Sequence, residues 1–289
     1  GIPGCPVLNK RDLAMPVISL TTDFGLADPY AGIMKAVIAS ICPAPRIIDL
    51  THQIAPQDVH GAAYVLSTAL PYFPEHTVHV CVVDPDVGSR RRIVAVQMDA
   101  GILLAPDNGV LSLVLAERVP QAAYSVENSE AFLHPVSRTF HGRDIFAPAA
   151  ARLACGMRLN ALGPTVAVQS LLRLDFGPPP VLDENHRLSG SIITEDRFGN
   201  LISNIGRNNL EEAFGTKFPE RAGLCVQLGG QVICGIETSY QAVSEGAPLA
   251  IIGSTDRLEI SVNAGSAAQY FQAGRADRVV VFKAGTADG

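Results

Sequence analysis

Apolar positions in the first half of the chain fall into two alternating periods. The runs "VISLTTDFG", "TVHVCVVD" and "RIVAVQM" are short and rich in apolar residues, as buried strands are, and "RIIDLTHQ" is strand-like. Between them, "AGIMKAVIASIC" and "HGAAYVLSTALPYF" carry apolar residues at helical spacing, and "GRDIFAPAAARLACG" reads as an Ala-rich helix closed by a glycine. Strands alternating with helices predict an α/β domain with a mainly parallel sheet over residues 17–176. Ligands of such sheets bind beyond the C-terminal ends of the strands. The triple proline Pro178–Pro180 cannot continue a helix and stiffens the chain, which predicts a linker over 177–187. Beyond it the texture changes to short β-branched runs broken by turn residues: "LSGSIITEDRFGNLISNI", "GLCVQLGGQVICGI", "PLAIIGSTDRLEISVN" and "DRVVVFKA". That spacing predicts a smaller all-β barrel or sandwich over 188–286.

Composition narrows the classes of function. The 289 residues are 47% hydrophobic and 17% charged, enough for a sizeable core in one large or two moderate domains. A net charge of -6 argues against nucleic acid as a partner, because phosphate-backbone binders carry a basic face. No apolar run reaches the ~18 residues of a membrane span, so no membrane partner is expected. The leading "GIPGCPVLNKRDLAMP" lacks a signal-peptide pattern and reads as an irregular lead-in. The six cysteines form no CxxC pair and lie mostly in apolar runs, which predicts reduced thiols and a cytoplasmic location.

Candidate chemistry clusters at the expected strand ends. Asp23 and Asp28 follow the first strand, where a carboxylate can accept both hydrogen bonds of a vicinal diol or can simply build a turn or cap. "VVDPDVGSRRRIVAV" sets Asp84 and Asp86 against Arg90, Arg91 and Arg92. An arginine beside a carboxylate can hold it for work on a polar nucleophile, whereas solvated pairs in a loop would contribute only about 0–1 kcal/mol. His141 precedes the Ala-rich helix and suits proton transfer or orientation of a water, with Arg143 and Asp144 fixing the loop by pairing or capping. In the second half, Asp196, Phe198 and Asn200 could meet an ammonium, stack on a base and read its edge, or could form a tight hairpin. Asp23, Asp84 and Asp86 could also serve as hard ligands for Mg²⁺ in a phosphohydrolase, against which the three arginines count.

The ordered set "TTDFGLADPYAGIMKA", "IIDLTHQIAPQDVHGAAYVL", "VVDPDVGSRRRIVAV", "LLAPDNGVLS", "FHGRDIFAPAAARLA", "DRFGNLISNI" and "EISVNAGSAA" resembles the S-adenosylmethionine hydroxide adenosyltransferases, relatives of the fluorinases and chlorinases. The resemblance implies hydrolysis of S-adenosylmethionine to adenosine and methionine by water attacking C5' of the ribose, with no metal and no cofactor. It implies Asp84, Arg91 and His141 at the water site and Asp23 on the ribose hydroxyls. Asp28, Asp196 and Ser254 correspond to the methionine end, Phe198 and Asn200 to the adenine, and Tyr240 to part of the wall. It also implies a homotrimer with sites between subunits. Halogenation, or binding of S-adenosylmethionine or adenosine without turnover, are the alternatives. The halogenases lack the acid at the Asp84 position and the histidine at the His141 position. They carry an arginine where Thr255 stands and a tryptophan where Gln57 stands. Within the family "DPGVG" is common where this chain has "DPDVG", which adds the charge of Asp86.

Overall fold

A computed structural model describes residues 15–215 and 223–285. Most of the expected lead-in, with Cys5, therefore lies outside the described residues. The chain divides into two compact units, one ending at Leu174 and the other beginning at Asp175.

The first unit is built on a six-stranded sheet of order β2-β1-β3-β5-β4-β6. Its strands are β1 (Val17–Thr22), β2 (Arg46–Thr51), β3 (Thr77–Val82), β4 (Ile93–Met98), β5 (Gly101–Pro106) and β6 (Ala122–Ser125). The pairs β2–β1, β1–β3 and β3–β5 are parallel, while β4 runs antiparallel to both β5 and β6. Helices α1 (Tyr30–Ile41), α2 (Val59–Ala69), α3 (Ser112–Glu117) and α4 (Ala147–Ala154) complete it. Asp58 starts α2 by accepting the Gly61 N–H at 3.1 Å, a side-chain cap that satisfies one orphan donor of the first turn. Ile18, Leu20, Val78 and Val80 of the sheet are buried with Met34 and Ile38 of α1 and with Phe146 and Ala150 at α4. The run of alanines in α4 lets it lie close against α1, as small side chains do at a helix crossing.

Two of these strands, β5 and β6, were not foreseen from the pattern. β5 follows β4 after only Asp99 and Ala100, and a tight hairpin puts an antiparallel strand inside a sheet that is otherwise parallel.

His79 sits in the middle of β3, 1% exposed, with Nδ1 2.8 Å from the Ser19 hydroxyl. Burial pushes its pKa down to about 4 from the free value of 6.5. The folded-state value is the lower one, so its contribution to stability is complete above pH 6.5 and lost as pH falls toward 4. A shift of that size is worth about 3 kcal/mol. Denaturant titrations at pH 7 and pH 4 should show a shallower acid loss for His79→Gln than for the native chain; equal losses would contradict the assignment.

The second unit is an antiparallel sheet of order β11-β10-β14-β8-β9-β13-β12. A two-residue strand β7 (Val181–Leu182) pairs with β8 (Leu188–Glu195), so part of the expected linker belongs to this sheet. The others are β9 (Leu201–Gly206), β10 (Leu224–Leu228), β11 (Gln231–Cys234), β12 (Pro248–Ile252), β13 (Arg257–Val262) and β14 (Arg278–Lys283). A parallel bridge from Glu237, just after β11, to Ile251 of β12 brings the edges together, and the sheet nearly closes on itself. Two short helices, α5 (Arg207–Phe214) and α6 (Ala267–Phe271), depart from the all-β expectation. α5 covers the barrel interior with Leu210 and Phe214 and stops at Gly215 in the left-handed conformation.

The expectation of reduced thiols is corrected. Among the described residues Cys42 is bonded to Cys155 and Cys225 to Cys234, while Cys81 is free and buried. Cys42 and Cys155 are the C-terminal caps of α1 and α4, which pack side by side, so 113 residues of sequence separation vanish in space. Cys225 and Cys234 are directly opposite in the β10–β11 hairpin. Among the described residues no helix is long and apolar enough to cross a membrane.

Candidate active site

Strands β1 and β3 are parallel neighbours with Thr22 opposite Val82. The residues that follow them, Asp23 and Asp84, therefore leave the same edge of the sheet, the C-terminal edge where ligands of α/β folds bind. Asn108 fixes the end of β3 by donating its side-chain N–H to the Val83 carbonyl at 2.9 Å.

The Asp84 carboxylate is almost fully buried, at 4% exposure, and so is the Arg91 guanidinium, at 8%. Arg91 Nε donates to both carboxylate oxygens at 2.9 and 2.8 Å, and Nη2 donates to Oδ2 as well. The same Nη2 lies 2.9 Å from His141 Nδ1. A guanidinium has only hydrogens to give, so Nδ1 of His141 is the acceptor and its ring is neutral in this arrangement. Burial lowers the His141 pKa, and the positive charge of Arg91 lowers it further against the opposing pull of Asp84 and Asp144.

The other two arginines do different work. Arg92 donates to Asp107 at 2.9 and 2.6 Å and to the Ser170 carbonyl at 2.8 Å, bracing the site from behind. Arg90 and Asp86 are exposed, so the extra charge of "DPDVG" lies at the surface, outside the buried pair. Asp107 and Asn108 come from "APDNGV", a motif whose residues the sequence left without a role.

Asp23 is half-buried and accepts the Gln57 backbone N–H at 2.8 Å, which anchors its carboxylate. Asp28 is exposed on the loop before α1. Cys81, one strand position from this edge, has its thiol pushed up to about 12 by burial, with the charges of Asp23 and Asp84 adding to the effect. It is no nucleophile at neutral pH.

Gly88 is a second feature that the sequence left unassigned. Its φ is +79°, and a Cβ there would run into the Arg138 carbonyl. The loop carrying Asp84 and Arg91 thus rests directly on the loop carrying His141, and only glycine allows both the conformation and the approach. Gly88→Ala should push the loops apart and lower kcat by about 10²-fold, the penalty of a misplacement near 1 Å. Steady-state kinetics with a thermal melt would check it, and unchanged kcat would show that the two loops need no such contact.

The remaining candidates lie on the second unit. Asp196, Phe198, Asn200 and Tyr240 line a recess of about 550 Å³ closed by Val262 and the Ala264–Gly265 segment. The Asp196 carboxylate accepts the N–H groups of Phe198 and Asn200 at 2.8 and 2.9 Å and the Asn200 side-chain N–H at 2.8 Å. It therefore shapes the turn, and the bond to Asn200 fixes the orientation of that amide. Phe198 is 77% exposed, an aromatic face presented at the mouth of the recess. Ser254 is exposed in the β12–β13 turn and is not part of the recess wall. Glu259 was missed: it is 7% exposed, with Tyr240 donating its hydroxyl at 3.4 Å, and burial pushes its pKa up, with the charge of Asp196 adding to the effect. Its alternating "LEISV" strand gave no signal beyond an inward-facing acid. Among the described residues no three of His, Cys, Asp and Glu group as metal ligands.

At the sheet edge of the first unit a buried carboxylate is clamped by an arginine that also donates to a neutral histidine, and the second unit bears an aromatic recess. Residues 18–163 match the SAM hydroxide adenosyltransferase N-terminal domain and residues 190–280 its C-terminal domain. The chain belongs to the SAM hydroxide adenosyltransferase family. It is 41% identical to an (R)-S-adenosyl-L-methionine hydrolase of Thermus thermophilus, over 88% of this chain and 94% of that protein. Its identity to a hydrolase of the same name from Salinispora tropica is 39%, covering 92% and 97%. A fluorinase of Nocardia brasiliensis is more distant, at 30% over 88% and 92%. Among solved structures, an uncharacterized conserved protein from Thermotoga maritima superposes with a TM-score of 0.83 at 35% identity, covering 91% of this chain and 99% of that one.

Proposed function

We propose that this protein hydrolyses S-adenosylmethionine to adenosine and methionine, with Asp84, Arg91 and His141 as the water-handling group. The observation that carries the reading is the buried Asp84–Arg91–His141 cluster at the C-terminal edge of the parallel sheet, in a chain about 40% identical to named hydrolases. The sulfonium is already a good leaving group, so the difficulty lies in aligning a weak nucleophile with the C5'–S bond. Arg91 orients Asp84, and Asp84 binds the water. As the oxygen bonds to C5', the C5'–S pair leaves on sulfur as the thioether of methionine, and the water's proton passes to the Asp84 carboxylate. His141 is the weaker candidate for that proton because Arg91 fills its Nδ1.

The proposal assigns Asp23 to the ribose hydroxyls, Asp28, Asp196 and Ser254 to the methionine end, Phe198 and Asn200 to the adenine, and Tyr240 to the wall. It includes no metal and no cofactor, since Arg91 already occupies the acid that a cation would need. Halide is a poor nucleophile for this site because the Asp84 carboxylate would repel it. A homotrimer is part of the reading, supported by the family resemblance, and light scattering should return three times the 30.5 kDa chain mass. The net charge of -6 supports the absence of a nucleic-acid partner, and no membrane partner is part of the reading. Cytoplasmic residence is supported by the substrate, a charged sulfonium that does not cross membranes unaided. The two disulfides run against it, being rare in reducing compartments.

The test is incubation with S-adenosylmethionine in ¹⁸O-labelled water, with and without EDTA and with excess chloride. Adenosine carrying one ¹⁸O, formed with methionine and unaffected by EDTA, is the expected result. Chlorinated nucleoside would favour a halogenase, and intact bound substrate a protein that binds without turnover.

A further inference from the structure

Three aromatic rings gather where the loop after β1 meets the segment that leads into α4. Phe24 follows Asp23, Tyr30 opens α1, and Phe140 precedes His141. Their centroids form a closed triangle: 5.7 Å from Phe24 to Tyr30, 6.0 Å from Phe24 to Phe140 and 5.0 Å from Tyr30 to Phe140, with interplanar angles of 56°, 76° and 80°. Those are tilted and edge-to-face arrangements, in which the positive rim of one ring meets the negative face of another. The π-helical turn Gly142–Phe146 rests on the same rings, since a Cβ on Gly142 would lie 3.2 Å from Phe140 Cε2 and 3.3 Å from Phe24 Cζ. His141 is thus flanked by two residues that sit against Phe24, the immediate neighbour of Asp23. Phe24 and Phe140 also pack on the core of the first unit, whereas Tyr30 is 44% exposed and meets the cluster from the solvent side.

We infer that Tyr30 is a positioning residue for the reaction: its ring completes an aromatic clasp that holds the Asp23 loop and the His141 turn as one body. This deepens the hydrolase reading, in which Asp23 grips the ribose and His141 stands at the water site, and it rests on that reading for the kinetic consequence alone. In-line attack needs C5' and the water fixed relative to each other, and a misplacement of about 1 Å costs roughly 10²-fold in rate. The two sides have separate anchors. Asp23 accepts the Gln57 N–H and Gly25 donates to the His52 carbonyl at 2.7 Å, while His141 accepts from Arg91. The rings join one set to the other directly. Phe140 is steadied on its far side by the Arg143 guanidinium, 5.4 Å from its centroid, so Tyr30 closes the clasp against a ring already held.

The experiment pairs steady-state kinetics with amide hydrogen exchange read by NMR. Tyr30→Ala should lower kcat about 10- to 100-fold with KM rising less than ~5-fold, because the substrate keeps its contacts on either side while their mutual alignment is lost. Exchange should quicken on both sides together, by about tenfold: at the Gly25 N–H that bonds to His52, and at the Arg143 and Asp144 N–H groups that bond to the Phe140 carbonyl at 3.2 Å. Strand β4 should keep its native protection. Tyr30→Phe retains the ring and should retain both the native rate and the native exchange. A Tyr30→Phe variant as impaired as Tyr30→Ala would show that the hydroxyl does the work and would overturn the inference. So would faster exchange confined to the Gly25 side, the mark of a merely local defect. If Tyr30→Ala does not fold, Tyr30→Leu, which fills the space without a ring, takes its place and should show the same paired loss. A native protein without hydrolase activity whose two sides still loosen together in Tyr30→Ala would defeat the functional reading and leave the clasp standing.

Discussion

Asp84→Ala is expected to lower kcat for S-adenosylmethionine hydrolysis by about 10²- to 10⁴-fold, the range that a positioned acid–base group supplies. The substrate's dissociation constant should change little, because the proposed ribose, adenine and methionine contacts lie on other residues. Two features place the effect at the upper end. The carboxylate is buried, so no bulk water replaces its lone pairs in orienting the nucleophile. Its removal also strands the Arg91 guanidinium, 8% exposed, beside a neutral His141. An unpaired buried charge costs several kcal/mol, so Arg91 should turn or recruit solvent, and the histidine would lose the partner of its Nδ1. Asp84→Asn separates the two losses: it keeps an oxygen for Arg91 but cannot take a proton. Single-turnover rates and equilibrium binding on both variants check this. If Asp84→Asn retained the native rate, Asp84 would be a mere anchor for Arg91 and the proton would have to go elsewhere.

The α/β pattern was readable because solid apolar runs and helical spacing reflect burial on two faces and on one. β5 escaped because only Asp99 and Ala100 separate it from β4, so the two strands follow one another without a clear break in the pattern. α5 escaped because "RNNLEEAF" carries its apolar face on Leu210 and Phe214 alone, and a helix of eight residues owes its existence to the barrel it covers. At the site, the three consecutive arginines announced an excess of charge but gave no hint of its division. Arg91 goes to Asp84 and His141, Arg92 to Asp107, and Arg90 to the surface, a partition that depends on contacts spanning up to 78 residues. Backbone participants such as the Val83 carbonyl held by Asn108 and the close approach at Gly88 have no side-chain signature at all. The Cys225–Cys234 pair was legible in principle, since "CVQLGGQVIC" is symmetric about a Gly-Gly turn that sets its ends opposite each other. The Cys42–Cys155 pair was not, because nothing local ties the ends of two helices together.

That second pair leads to the largest expected effect on stability. Cys155→Ala should lower the unfolding free energy by about 4–5 kcal/mol, since a crosslink closing a loop of 113 residues removes that much chain entropy from the unfolded state. The effect should fall on the first unit, whose core includes Cys42 and the α1–α4 contact. Losing the Cys225–Cys234 bond should cost less, because it closes only nine residues and the β10–β11 hydrogen bonds already hold the hairpin shut. Reductant should lower the native protein's midpoint of denaturation by most of the Cys155→Ala difference and shift that variant far less. Thiol titration of the denatured, unreduced protein should find no more than two of the six cysteines reactive, Cys81 and Cys5. Alkylating intact cells before lysis then joins this result to localisation. Two reactive thiols from cells would mean that the bonds exist in life and would count against a cytoplasmic home. Six would mean reduced cysteines in the cell, and a midpoint insensitive to reductant would remove the Cys42–Cys155 crosslink from the native fold.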